Sequence, residues 1–286
     1  MRRLASGGTM FVALVPALMA APAVAVAQES GCPLGGTCVP APEPVELPEP
    51  AAQWRASIEY GHVQFVESAT SIDPWHTVSA EIARRGSGAT VIGRANWARR
   101  FGEDGVQIEM DAYPRISPRF YAYLNAGFSG ADIFPDYRLG GELYANTGAG
   151  TEASLGIRRL EFGVTGVTIY TGSAGIYRGN WYVSARPFVT PKDEGTSVSG
   201  ILLVRRYFAT AESYATLLVG AGSAPTEAPL EFEVRRADTR RIGAYGRTPL
   251  GGRLGLRWSA HYEHEELTRQ DDRGRVSVGL GLETRL

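Results

Sequence analysis

From Trp54 onward, apolar and polar residues alternate one by one over segments of about ten residues, separated by clusters of Gly, Pro, Asp, Asn and Ser. VQIEMDAYPR places Val106, Ile108, Met110 and Ala112 on one face and Gln107, Glu109, Asp111, Tyr113 and Arg115 on the other. FYAYLNAGFS sets Phe120, Leu124 and Phe128 against Tyr121, Tyr123 and Asn125, and LGLRWSAHYE sets Leu256, Trp258 and Ala260 against Arg257, Ser259 and His261. No sustained 3.6-residue apolar stripe competes with this period of two, so the body is all-β.

The turns predict strands over 54–66, 75–85, 89–101, 106–115, 119–129, 136–146, 151–162, 167–177, 181–190, 197–207, 213–222, 239–248, 253–265 and 275–286. That is about 14, with 12 or 16 open because LEFEV at 230–234 also reads as pairing sequence. The final GRVSVGLGLETRL alternates to its end, which predicts a last strand paired with the first. Short turns at Gly86-Ser87-Gly88, Ser117-Pro118 and Arg178-Gly179-Asn180 then share one side, and GSAPTEAPLEFEVRRAD, ELTRQDDRG and SGADIFPD form longer loops on the other.

Alternation alone also fits a soluble antiparallel sandwich. The polar face decides. It is rich in Arg, Glu, Asp, Tyr and Gly and nearly lacks lysine, with Lys192 in a loop its one clear example. A polar interior, aromatic residues near strand ends and an apolar outer face describe a transmembrane antiparallel up-and-down β-barrel of the bacterial outer membrane.

The start of the chain agrees. Arg2 and Arg3, an apolar run from Met10 and Ala25-Val26-Ala27 read as a cleaved signal over 1–27; Pro16 and Pro22 argue against an uncleaved anchor. Residues 28–53 form a Pro-rich periplasmic leader in which Cys32 and Cys38 are placed to close a small disulfide loop after export. The barrel occupies 54–286.

With the strands in place, DPWHTVSAEIARR (73–85), QIEMDAYPRI with FYAYLNAGFS (107–129), IFPDYRLGGELY (133–144), EASLGIRRLEF (152–162) and GTSVSGILLVRRYF (195–208) resemble the YaiO family of outer-membrane β-barrels. The resemblance covers roughly 54–286, strongest over 73–208. It implies an integral outer-membrane protein and assigns no biochemical activity. The barrel-assembly machinery is expected to read the last strand, whose final residue in such barrels is often aromatic; Leu286 departs from that habit.

The inward face carries Arg55, Arg94, Arg115, Arg138, Arg158, Arg186, Arg241 and Arg257 among Glu59, Glu81, Glu109, Asp111, Glu142 and Glu263. Arg94, Glu109, Asp111, Arg115, Arg138, Glu142, Arg158, Arg186 and Arg257 are the expected lumen network, with Arg94 on the strand before Glu109 and Asp111. Buried charges must pair, so the network either stiffens the wall or lines a polar pathway. No segregation of acid from base marks a selective constriction, and the structural reading is preferred. Cargo under the other reading is a small polar solute or an envelope polysaccharide.

Ser259, His261 and Glu263 superficially offer hydroxyl, base and carboxylate, the basis of an alternative reading as a lipid-modifying acyl hydrolase or transferase. Alternate residues on a strand lie roughly 7 Å apart, too far for a direct hydrogen bond, so no catalytic residue is expected. His261 and His264 fall on opposite faces and predict no metal site. A net charge of -1 with dispersed arginines gives no support to nucleic-acid binding, and no cofactor is expected. Outer-membrane lipids and lipopolysaccharide, the latter through ADTRR and QDDRG, are the expected surroundings. Trp97, in phase with Val91 and Ala95, is expected to face lipid near the outer interface.

Overall fold

A computed structural model describes residues 53–66, 71–192, 195–227, 234–267 and 272–286. The signal, the leader with Cys32 and Cys38, and part of the loops near ADTRR and QDDRG lie outside the described residues.

Fourteen antiparallel strands close into one barrel. They are β1 (Gln53–Val66), β2 (Trp75–Arg85), β3 (Ala89–Arg100), β4 (Glu103–Pro114), β5 (Phe120–Ser129), β6 (Tyr137–Gly148) and β7 (Thr151–Phe162). β8 (Thr165–Arg178), β9 (Trp181–Thr190), β10 (Ser197–Tyr207), β11 (Tyr214–Glu227), β12 (Val234–Gly251), β13 (Leu254–Leu267) and β14 (Arg273–Arg285) complete it. Each strand pairs with its sequence neighbours, and β14 pairs with β1 from Arg55↔Arg285 to Val66↔Gly274. That seam leaves no unpaired strand edge for lipid to meet, where orphaned backbone groups would cost several kcal/mol each.

The period of two resolves into an inside and an outside. Ile58, Ile82, Ile108, Met110, Leu124, Leu139, Leu155, Leu202, Leu217, Ile242 and Leu280 are all largely exposed on the outer surface. This is the belt that faces acyl chains. Trp54, Phe120, Trp181 and Phe208 fringe it at the end holding β1's first residue, and Phe128, Tyr137 and Tyr170 fringe the other. Trp97 lies opposite Val106, itself half exposed, on the outward face.

Turns at the end that holds both strand termini are mostly short: 86–88, 149–150, 179–180 and 252–253. The opposite end carries 67–74, 130–136 and 191–196, and by that asymmetry is the extracellular one. One expected loop is mostly strand: β11 runs on to Glu227 and β12 starts at Val234, pairing through Glu227↔Val234 where 223–238 had read as external loop. Backbone ladders continue past the apolar belt because pairing needs no lipid, and Ser and Thr pair as well as Leu.

Inside, the extracellular end is packed with apolar groups. Val63, Phe65 and Trp75 form one cluster with Ile72 and Phe101; Ala98, Ile133 and Phe134 form a second, bringing the 130–136 loop onto the wall. Leu160, Phe162, Val167 and Ile169, with Phe188, form a third. Phe101 holds a left-handed backbone (φ 53°) while its ring packs edge-on against Trp75 at 5.0 Å, so packing sustains a conformation unusual for a bulky residue.

Candidate functional site in the barrel lumen

At mid-height the inward faces of β2 to β6 carry a continuous charge network. Arg94 on β3 lies directly between Glu81 on β2 and Glu109 on β4. Its Nη2 donates to Glu81 Oε2 at 3.0 Å and to Asp111 Oδ2 at 3.2 Å, and its Nη1 to Glu109 Oε2 at 3.2 Å. Asp111 also accepts from Asn125 Nδ2 at 2.6 Å and Tyr123 Oη at 3.1 Å. Arg138 reaches back over β5 to Glu109 at 3.0 Å. Every carboxylate here has more than one donor, the condition under which buried charges are held without a large unpaired penalty.

A second centre forms around Glu142 on β6. Arg186 on β9 crosses two strands to donate through Nη1 at 2.7 and 2.8 Å, Ser154 donates its hydroxyl, and Arg158 Nη2 stands at 3.9 Å. Arg186 Nη2 also donates to Tyr144 Oη at 3.0 Å. Gly156 makes the crossing possible: a Cβ there would sit 2.7 Å from Glu142 Cβ. Arg257 extends the first network through Glu81 at 3.6 Å to the more exposed Glu59 at 3.3 Å.

Arg115 is the departure from the expected network. It lies past the end of β4, exposed, held by its backbone through a bridge to Tyr121 and an N–H donated to the Gly88 carbonyl at 2.8 Å, and in no ion pair among the described residues. β4 ends at Pro114, and a turn residue need not keep its strand's phase.

Ser259 and His261 share the inward face but no hydrogen bond joins them among the described residues, and Glu263 is bound by Arg241 and Arg275. Glu263 is therefore held by guanidiniums rather than by the His261 imidazole. His264, one position out of phase, faces outward beside Tyr262.

Two features escaped the sequence. Near the extracellular end Arg273, Glu265, Arg275 and Glu263 form a buried ladder beside Trp75. At the periplasmic end tyrosines crowd the interior. Tyr121 and Tyr144 stack at 4.5 Å and 8°, Tyr177 and Tyr182 lie 4.3 Å apart, and Tyr113 adjoins Tyr123 at 5.1 Å. Beyond them Arg205 is 2% exposed, its guanidinium 4.3 Å from the Tyr214 ring, donating to Thr216 Oγ1 at 2.9 Å and Tyr245 Oη at 3.2 Å. Across the same mouth, Glu212 from the β10–β11 turn pairs with Arg55 and Arg285 and lies 3.6 Å from Arg247. The signal was visible in part, since Tyr113, Tyr121 and Tyr123 read as inward; their gathering at one end depends on register.

Residues 54–227 match the YaiO membrane beta barrel domain. The chain belongs to the YaiO family. The matched span ends within the β11–β12 region, and the remaining strands of this YaiO barrel complete the closure. No curated protein matches the chain. Among solved structures, the CymD monoaromatic hydrocarbon channel is similar with a TM-score of 0.53 and 8% identity, over 82% of this chain and 88% of that one. Omp33 of Acinetobacter baumannii is similar with a TM-score of 0.49 and 10% identity, over 82% and 99%. The translocator domain of the autotransporter NalP from Neisseria meningitidis has a TM-score of 0.46 and 11% identity, over 82% and 88%. At such identities the likeness is one of fold. Family and architecture together make the chain an integral barrel of the bacterial outer membrane.

Proposed function

We propose that this YaiO barrel is a non-enzymatic structural protein of the outer membrane whose charge-filled middle stiffens the wall. One observation carries the reading: Glu109, Asp111, Glu142 and Arg186 face the interior at mid-height yet are each less than a tenth exposed. In a wide aqueous pore such side chains would stand in water; here they shield one another. Outer-membrane lipids, lipopolysaccharide and, through β14, the barrel-assembly machinery are the partners this role requires.

A second reading, passage of a small polar solute or an envelope saccharide, is favoured by the other wall. Glu59, Arg241 and Arg257 on β1, β12 and β13 keep 33%, 36% and 22% of their side chains exposed. Purified barrel in planar bilayers separates the two. The structural reading expects a silent bilayer and no lipid turnover. Stable ohmic steps overturn it in favour of passage, and lipid turnover that vanishes in His261→Ala overturns it in favour of an enzyme.

A further inference from the structure

We propose that the periplasmic mouth of the barrel is a binding site for a neutral pyranose saccharide, built from the inward tyrosines of β5 to β9 around Glu152. The site goes beyond the structural reading and stands whether or not the middle of the barrel conducts.

The tyrosines need a reason to be there. A lipid-interface girdle would face outward, as Trp54, Phe120, Trp181 and Phe208 do at the same end. Tyr121, Tyr144, Tyr177 and Tyr182 point the opposite way. Nor are they filler. Where the interior is packed, at the extracellular end, the chain uses Phe, Leu, Ile, Val and Trp that are nearly or fully buried. The four tyrosines remain partly exposed, reached by water through the mouth.

Their arrangement also leaves hydrogen-bonding capacity. Tyr121 stacks on Tyr144 and Tyr177 packs on Tyr182, so two aromatic pairs flank β7, whose own contribution at this height is Glu152. Glu152 accepts from Tyr121 Oη at 2.7 Å and from the Tyr182 hydroxyl and, unlike Glu109 and Glu142, makes no ion pair among the described residues. A carboxylate with accepting capacity to spare, between aromatic pairs and reachable from the mouth, suits adjacent sugar hydroxyls as donors and the C–H face of a pyranose as packing surface. Its negative charge, only partly offset by the Arg186 guanidinium, disfavours an anionic sugar. Arg186 and Arg205 do not reverse this: one is committed to Glu142 and the other is enclosed by Tyr214, Tyr245 and Thr216.

The test uses the full mature chain refolded in detergent, titrated calorimetrically with maltohexaose, cellohexaose and chitohexaose. Saturable binding of at least one is expected. For that saccharide, Tyr182→Ala, Tyr177→Ala and Glu152→Ala should each weaken affinity about tenfold, while Tyr182→Phe, which keeps the ring, stays within about threefold. Heat-modifiable gel mobility identifies folded variants. In the wild type, the bound saccharide should lower nitration of Tyr121, Tyr144, Tyr177 and Tyr182 by tetranitromethane several-fold while leaving the outward Tyr137 and Tyr170 unchanged. No saturation by any of the three at millimolar concentration overturns the proposal. So does binding that the folded alanine variants and the nitration pattern show to lie elsewhere. Neither result bears on the conductance test of the structural reading.

Discussion

Gly127 stands opposite Arg138 across β5 and β6, and the space left by its missing side chain is the path by which Arg138 reaches Glu109. A Cβ at 127 would meet Arg138 Cγ at 2.8 Å and Glu109 Cγ at 3.1 Å. An ion pair that skips a strand therefore depends on a residue with no charge.

Gly127→Ala should accordingly push the Arg138 stem off its course and cost about 1–2 kcal/mol, the range for overpacking a tight site. Urea unfolding in lipid vesicles measures it. Unchanged stability would mean that Arg138 has another route to Glu109.

Arg94→Ala removes the only base directly opposite both Glu81 and Glu109. Three carboxylates, Glu81, Glu109 and Asp111, lose a partner in a place where Arg94 is itself only 11% exposed, and the expected loss is about 3 kcal/mol. A water-filled lumen would screen the same loss to about 1 kcal/mol or less. The unfolding experiment thus reads the hydration of the lumen, and a small loss accompanied by altered ion selectivity would shift the balance to passage.

Trp97 and Trp75 should report opposite sides of the wall. A variant keeping only Trp97 is expected to be strongly quenched by brominated lipid, and one keeping only Trp75, wholly buried among Phe65, Phe101 and Arg100, is expected to be protected. Equal quenching of the two would contradict the assigned faces.

The closing seam has a defined register, with Tyr60 paired to Leu280 on the outer face. In a background with Cys32 and Cys38 replaced by Ser, Tyr60→Cys with Leu280→Cys should crosslink readily on oxidation, because directly opposed residues bring Cβ atoms within disulfide reach. Tyr60→Cys with Gly281→Cys, whose second member points inward, should not. A shift in electrophoretic mobility distinguishes them, and the reverse pattern would mean a seam slipped by one residue.

Much of this was legible in the chain itself. Alternation in VQIEMDAYPR and FYAYLNAGFS separated lipid-facing Ile108, Met110, Leu124 and Phe128 from inward Glu109, Asp111 and Asn125, since a pleated strand sends successive side chains to opposite faces whatever surrounds it. Strand number followed from the turns, and Arg94 was rightly placed against Glu109 because adjacent strands joined by a short turn have little freedom of register.

Apolar residues are not confined to the outer face. Val63 and Phe65 are in phase with Glu59 and so face inward, a signal that parity alone contained; above the lipid belt the interior is the drier side, and apolar residues belong there. Arg138 crossing Gly127 to Glu109, Arg186 crossing two strands to Glu142 and the tyrosines meeting around Glu152 join strands far apart in sequence. Local alternation determined the sheet, its faces and its place in the outer membrane, because those depend on neighbours two residues away. Only barrel closure decided which inward side chains share a level of the lumen, because that depends on the cumulative stagger of fourteen strands around one axis.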